Sequence, residues 1–335
     1  MILTTTIEIP KGGYRIGYED PILLMGSCFA DNIGRKLSEH KFKVDQNPFG
    51  TLYNPTSIAQ SLERLLDPVP FSPDELFQHE GCYHSFAHHS RFSAIDEHSC
   101  LEQINSRLNQ SARFLKEARI LIITLGTAYV YQLKENGKVV ANCHKLPERR
   151  FERSMLSTDA ITQEWSSLLD KLWQHNPKLQ ILFTVSPIRH WKDGAHGNQL
   201  SKATLLLAVE QLQQCFPKQV HYFPAYELMM DELRDYRFYA DDLLHPSNVA
   251  IEYIWQRFAE SLLSNEAQAL AKEWISIQKA IDHKPFRPES EAYRQFILQT
   301  LLKIERINKK ITSFAPQEEE ELRNRLKELG RHEPL

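Results

Sequence analysis

The stretch Ile22-Leu23-Leu24-Met25 runs directly into Gly26-Ser27-Cys28-Phe29-Ala30. A short, unbroken apolar run ending at a small-residue turn predicts a buried strand that feeds a helix. Such a turn holds a nucleophile exposed at the end of a sheet strand. Two candidate nucleophiles, Ser27 and Cys28, stand in it. Far downstream, Asp242-Leu243-Leu244-His245-Pro246 places an Asp three residues before a His. That spacing offers an orienting carboxylate and a general base. Asp241 is a second candidate for the carboxylate, although the spacing favours Asp242.

Working outward, four further apolar runs predict strands: Phe42–Val44, Ile120–Leu125, Ile181–Val185 and Val220–Phe223. Continuous rather than alternating hydrophobicity implies a parallel sheet covered on both faces. Helical periodicity fills the intervals at Asp31–His40, Thr56–Leu66, Leu101–Ala118, Asp159–His175 and Ser201–Cys215, and again from about Asn248 to Leu263. The expected fold is therefore α/β, with three α/β/α layers. Active residues should gather where strands end, at Gly26–Cys28, Gly126-Thr127 and Ser186-Pro187. Ala128–Leu133 and Lys138–Ala141 flank Glu135-Asn136-Gly137, a hairpin signal.

Beyond about residue 263 the chain becomes polar and helical, with long helices expected over Ala267–His283 and Glu289–Phe314. The acidic run Glu318–Glu321 opens a terminal helix, with a solvated tail beyond 315 as the alternative. Residues 1–263 thus form one domain and residues 264–335 a helical extension. That extension packs on the core or joins two copies into a homodimer.

Composition excludes several classes. Over 335 residues, 42% hydrophobic and 25% charged content with a net charge of -3 describes an ordinary globular chain. It gives no general attraction to nucleic acid or an anionic membrane. No apolar run approaches the roughly 20 residues that span a bilayer. Met1–Glu8 lacks a basic segment and a cleavage site, so it does not read as a signal peptide. The five scattered cysteines lack C-x-x-C spacing and fit free thiols in a reducing compartment, with cytoplasmic location the default. No phosphate- or dinucleotide-binding glycine pattern occurs, and no cofactor is expected. His79, Cys82, His84, His88 and His89 are metal-ligand types at a spacing that fits no standard zinc site; a polar loop over the cleft is expected instead.

The Gly26–Ala30 motif resembles that of the GSCFA family, a group similar to the SGNH/GDSL hydrolases. The resemblance extends through Asn47-Pro48-Phe49-Gly50, Tyr53-Asn54-Pro55, His84 to Phe92, Leu125-Gly126-Thr127, Ser186 to His190, Asp193-Gly194, Asn198, Ser201-Lys202-Ala203 and Asp242 to Pro246. It implies an SGNH-hydrolase-like, flavodoxin-like parallel sheet, a nucleophile after the first strand and a D-x-x-H pair near the domain's end. In gapless register the hydrolases' Gly-Asp-Ser falls on Gly26-Ser27-Cys28, which puts Cys28 at the nucleophile's place. A thiol at a helix start is expected to be acidified by unpaired N–H groups. A small buried Cys28 is the plain alternative.

For the oxyanion hole, the resemblance implies a backbone donor at Gly50 and a side-chain donor two residues after Gly126. Ala128 stands at the latter place, so Asn54, Thr127 or a backbone N–H would have to compensate. Asn54 also reads as a turn residue. Arg189 and His190, with Lys192 and Asp193, follow a strand's C-terminal end and are candidates for contact with an anionic or sugar substrate, against a solvated loop. The reading is an acyl-ester hydrolase or acyltransferase, working through Cys28 or Ser27 with Asp242 and His245, on a small-molecule or acylated-carbohydrate ester. Its rivals are a catalytically inactive binding module and an assembly protein that uses the C-terminal helices.

Overall fold

In the computed structural model of the chain, residues 5–9, 14–311 and 314–330 are described. The start of Met1–Glu8, on which the leader reading rests, lies outside them.

The first half runs β1 (Ile22–Gly26), α1 (Cys28–Glu39), β2 (Val44–Gln46), α2 (Pro55–Leu66), β3 (Leu76–His79), β4 (Cys82–Ser85), α3 (Glu97–Glu117), β5 (Ile120–Leu125), β6 (Tyr129–Leu133), β7 (Val139–Val140) and β8 (Phe151–Met155). There follow α4 (Thr158–His175), β9 (Gln180–Val185), α5 (Gly194–Cys215), β10 (Val220–Tyr222), α6 (Ala225–Glu227) and α7 (Asn248–Leu262). After it come α8 (Asn265–Ile281), α9 (Glu291–Lys310) and α10 (Pro316–Gly330).

The central sheet has the order β10-β9-β5-β1-β2, and each of its pairings is parallel. Read in chain order along this sheet, that is the flavodoxin-like 2-1-3-4-5 arrangement, whose direction reverses between β1 and β5. Successive side chains alternate between faces. Leu23 and Met25 enter one core with α2 to α5, while Ile22 and Leu24 enter the other with α1 and α7. The three-layer α/β/α expectation holds.

Several boundaries differ. Helix α1 starts at Cys28, three residues before the expected Asp31, because Ser27 caps it. Strand β2 lies two residues later than expected; its Asp45 is buried on the edge because Arg107 pairs with it. Helix α5 begins at Gly194 rather than Ser201, since Gly194 and Gly197 weaken the periodic signal. The polar loop expected over residues 79–89 is partly a hairpin, β3–β4, turning at Glu80 and Gly81 with φ of 46° and 77°. The Asn136-Gly137 hairpin is present, and β8 pairs with β6 to complete a three-stranded antiparallel sheet. Helices α8–α10 have their own apolar cluster, including Trp274, Ile304 and Leu322. Trp274 of α8 docks on the end of α1, its Nε1 donating to Glu39 O at 2.9 Å, and Phe314, between α9 and α10, meets the Tyr18 ring of the segment before β1 edge-on at 5.2 Å.

Candidate active site

A cavity of about 580 Å³ opens over the C-terminal ends of β1, β5 and β9. This is the switch point at which doubly wound sheets bind ligands. The turn after β1 supplies Ser27 and Cys28 to its wall. Gly26 makes that turn possible: its φ is 134°, and a β-carbon there would lie 2.2 Å from Thr124 O on β5. Its N–H donates to Asn47 Oδ1 at 2.9 Å. The Asn47 amide also donates to Asp31 Oδ1 at 2.8 Å, and Thr51 Oγ1 donates to Asp31 Oδ2 at 3.1 Å. The loop after β2 is thus tied to the first turn of α1.

The two candidate nucleophiles differ in environment. Ser27 is 1% exposed, and its Oγ accepts the Phe29 N–H as the helix N-cap. Cys28 is half-buried and occupies the first helical position, facing the cavity. Its thiol is not acidified. Burial pushes it above the ordinary range; its own N–H opposes that, Asp31 adds to it, and Lys202 and the Phe29 N–H pull down. The expected lowering by the helix start is present but is outweighed by desolvation.

Of the Asp242–His245 pair, His245 lines the same cavity and Asp242 holds it. His245 Nδ1 lies 2.5 Å from Asp242 Oδ2, and the Leu244 and His245 N–H groups both donate to Asp242 Oδ1 at 2.9 Å. Those N–H bonds, foremost that from His245, hold the carboxyl down at about 2. His245 lines the cavity with Cys28.

The remaining candidates are distributed as follows. Gly50 does not line the cavity: its φ is 81° and its N–H donates to Asn47 O at 2.8 Å, closing the turn. Asn54 lines the cavity and also caps α2, accepting the Ser57 N–H at 2.8 Å. The N–H groups of Gly126 and Thr127 both donate to Tyr53 O, at 2.7 and 3.0 Å. Thr127 Oγ1 lies 3.0 Å from Ser201 Oγ. Gly126 is required by space, since a β-carbon there would lie 3.0 Å from Tyr53 O and 3.1 Å from His190 Nε2. Ala128 is buried, with its N–H donated to Ser201 Oγ.

Arg189 lines the cavity with its guanidinium 4.7 Å above the Trp191 ring, and no ion-pair partner for it occurs among the described residues. The backbone N–H of His190 donates to Asn198 Oδ1 at 2.9 Å. Burial drives the His190 imidazole down to about 3, with Lys202, His245 and Arg153 acting in the same direction. Its Nε2 has no hydrogen-bond partner among the described residues.

Sequence reasoning missed Asp31, Thr51, Tyr53 and Arg153 as cavity or support residues. Arg153 comes from the unpredicted strand β8, ion-pairs with Asp193 and lies 4.1 Å over the Tyr129 ring. Its signal was weak, because Phe151–Met155 carries only one buried side chain. Among the described residues, no cluster of His, Cys, Asp or Glu has the geometry to hold a metal ion, and no helix is long and apolar enough to cross a membrane.

The sequence profile described as the GSCFA family matches residues 21–258, and that of the GSCFA domain protein, C-terminal domain, matches 274–328. No curated protein matches. Solved structures with some similarity include a carbohydrate esterase family 3 protein from Talaromyces cellulolyticus (10% identity, 76% of this chain and 99% of that one, TM-score 0.36). A family 3 carbohydrate esterase from Clostridium thermocellum is 14% identical over 75% of this chain and 98% of its own, with TM-score 0.34. An acetyl xylan esterase from the rumen bacterium Butyrivibrio proteoclasticus is 9% identical over 73% and 64%, with TM-score 0.38.

Proposed function

Because the chain belongs to the GSCFA family, we propose that it is an SGNH-like acyl-ester hydrolase or acyltransferase acting through a covalent intermediate on Cys28. One observation carries this reading: the Asp242-oriented His245 and the half-buried Cys28 line one cavity from opposite ends of the domain. Ser27 is the weaker nucleophile, since its oxygen caps α1.

The thiol is neutral at rest and so needs a base. His245 Nε2 takes the Cys28 proton while Asp242 holds Nδ1–H. The sulfur attacks the ester carbonyl carbon, a C–S bond forms and the oxygen becomes an oxyanion. Collapse breaks the C–O bond, and the departing alkoxide takes the proton from His245. Water, or another hydroxyl, deprotonated by the same His245, then attacks the thioester carbonyl; the C–S bond breaks and the departing thiolate takes the proton back from His245, which restores the Cys28 thiol. Tyr53, Tyr129, Tyr131 and Trp191 on the cavity wall suit the apolar faces of a sugar ring, which supports acylated carbohydrate as the substrate class.

A catalytically inactive binding module is the second reading, favoured by Ala128 in place of a donor and by the elevated thiol. Exposure to a thiol-reactive acyl probe and to a fluorophosphonate, followed by mass spectrometry, separates the two. Adduct on Cys28 that His245→Ala suppresses, together with p-nitrophenyl acetate turnover, supports the enzyme. Adduct on Ser27 moves the nucleophile by one residue. No adduct and no turnover favours the binding module.

A further inference from the structure

Asn47 is the first residue after β2, is 1% exposed and has a left-handed φ of 43°, a conformation that Asn adopts more readily than most residues. Strand β2 ends at Gln46, opposite Leu24, so on that side of β1 no strand residue is left to accept the Gly26 N–H. The Asn47 side chain takes that place, its Oδ1 accepting the N–H at 2.9 Å. Its Nδ2 donates to Asp31 Oδ1 at 2.8 Å. One buried amide therefore grips the chain on both sides of Cys28, at Gly26 before it and at Asp31 after it.

The backbone alone seats the loop that carries Asn47. Asn47 N–H donates to Leu24 O at 2.8 Å and Leu52 N–H to Gly26 O at 2.9 Å, while Asn47 O accepts from Gly50 N–H at 2.8 Å and from Arg91 Nη2 at 2.5 Å. The two side-chain bonds come on top of these, and both go to the turn that holds Cys28. Asp31 extends the tie: its Oδ2 accepts from Thr51 Oγ1 at 3.1 Å, and Thr51 lines the cavity together with Cys28. We propose that Asn47 is a positioning residue for the acyl-transfer reaction: its side-chain amide clamps the end of β1 to the first turn of α1 and so fixes where the Cys28 sulfur stands in the cavity. The inference rests on the reading of Cys28 as nucleophile. Asn47 gives and takes no proton in the reaction and touches no substrate. Without the clamp the strand end and the helix start shift independently, and a displacement of about 1 Å at a reacting atom costs roughly a hundredfold in rate.

The test is a double-mutant cycle on p-nitrophenyl acetate turnover and on Cys28 alkylation by iodoacetamide, read by mass spectrometry. Asn47→Asp keeps an acceptor for Gly26 but sets a carboxylate against Asp31 where a donor stood. Its kcat should fall about a hundredfold while KM moves little. Adding Asp31→Asn returns a donor to the pair with the bond reversed, and its side-chain oxygen still accepts from Thr51. Charge effects on the thiol add across the cycle, so the double variant equals the product of the two single variants if charge alone is at work. The clamp requires it to exceed that product by about tenfold or more. A double variant at the product, or Asn47→Asp with the kcat of the wild type, would overturn the proposal.

Should Asn47→Asp not fold, Asp31→Ala decides. Asp31 raises the Cys28 thiol, so removing its charge by itself eases ionisation and speeds alkylation. Slower alkylation and a lower kcat support the clamp; equal or faster rates refute it. Alkylation requires no turnover. An excess over the product in alkylation, with no ester cleavage by the wild type, therefore sinks the reaction and keeps the clamp, whereas wild-type cleavage without that excess sinks Asn47 alone.

Discussion

Asp242 holds His245 at both ends of the residue: Oδ1 accepts its backbone N–H at 2.9 Å, and Oδ2 meets its ring Nδ1 at 2.5 Å. The carboxylate thus fixes the tautomer that leaves Nε2 free to accept a proton. Asp242→Asn should lower kcat by about a thousandfold or more, by analogy with orienting carboxylates in triads. Both residues are half-exposed, so unfolding midpoints should barely move. An Asp242→Asn enzyme with near-native kcat on p-nitrophenyl acetate would remove the pair from the mechanism.

Gly26→Ala tests the turn. The new methyl would meet Thr124 O at 2.2 Å on a backbone with φ of 134°. Strain and overpacking together predict a loss on the order of 2–4 kcal/mol in urea unfolding. A loss below about 0.5 kcal/mol, the range of an ordinary surface substitution, would show that the β1–β5 approach relaxes freely.

Stability should fall in acid. Burial holds His88 down to about 3 and His144 to about 4. Their folded values lie below the unfolded 6.5, so the unfolded chain takes up more protons between about 3 and 6.5. Their contribution is complete above 6.5 and is lost as the pH drops through that window, at up to ~1.4 kcal/mol per pH unit for each group. His88→Gln should flatten the curve of unfolding free energy against pH. An equally steep curve in the variant would acquit His88.

Docking of the C-terminal helices depends on Trp274, which is fully buried and bonded to Glu39 O. Trp274→Ala should cost about 3–5 kcal/mol and open residues 264–330 to limited proteolysis while residues 21–258 resist. Unchanged protease resistance would mean that the remaining contacts suffice.

Arg189, over the Trp191 ring and without an ion-pair partner among the described residues, puts a cationic face on the cavity wall. Arg189→Ala should raise KM about tenfold for an acylated acidic sugar, as loss of a contact worth ~1.4 kcal/mol would, and leave the KM for p-nitrophenyl acetate near that of the wild type. Equal effects on both substrates would argue against recognition of an anion.

The central sheet was legible because its strands are buried on both faces and read as unbroken apolar runs; Ile120–Leu125 matches to the residue. Strand β2 was displaced because the charge of Asp45 is hidden by a partner, Arg107, that lies far along the chain. The Gly26 turn and the Asp242–His245 pair were visible as local spacing. The state of the Cys28 thiol was not, since it depends on burial and on Lys202, and burial exists only once the chain has folded. Arg153 was missed because a half-exposed edge strand leaves little periodic trace.

The sheet β7-β6-β8 enters the chain between β5 and α4 and contributes Tyr129, Tyr131 and Arg153 to the cavity wall, whereas Cys28 and His245 come from elements outside it. One part of the cavity wall is thereby written in a single contiguous stretch, residues 129–155, that holds neither Cys28 nor His245, while Tyr53, Arg189 and Trp191 line the cavity from elsewhere in the chain. Exchange of that cassette would change part of the ligand-facing wall and leave Cys28 and His245 as they are.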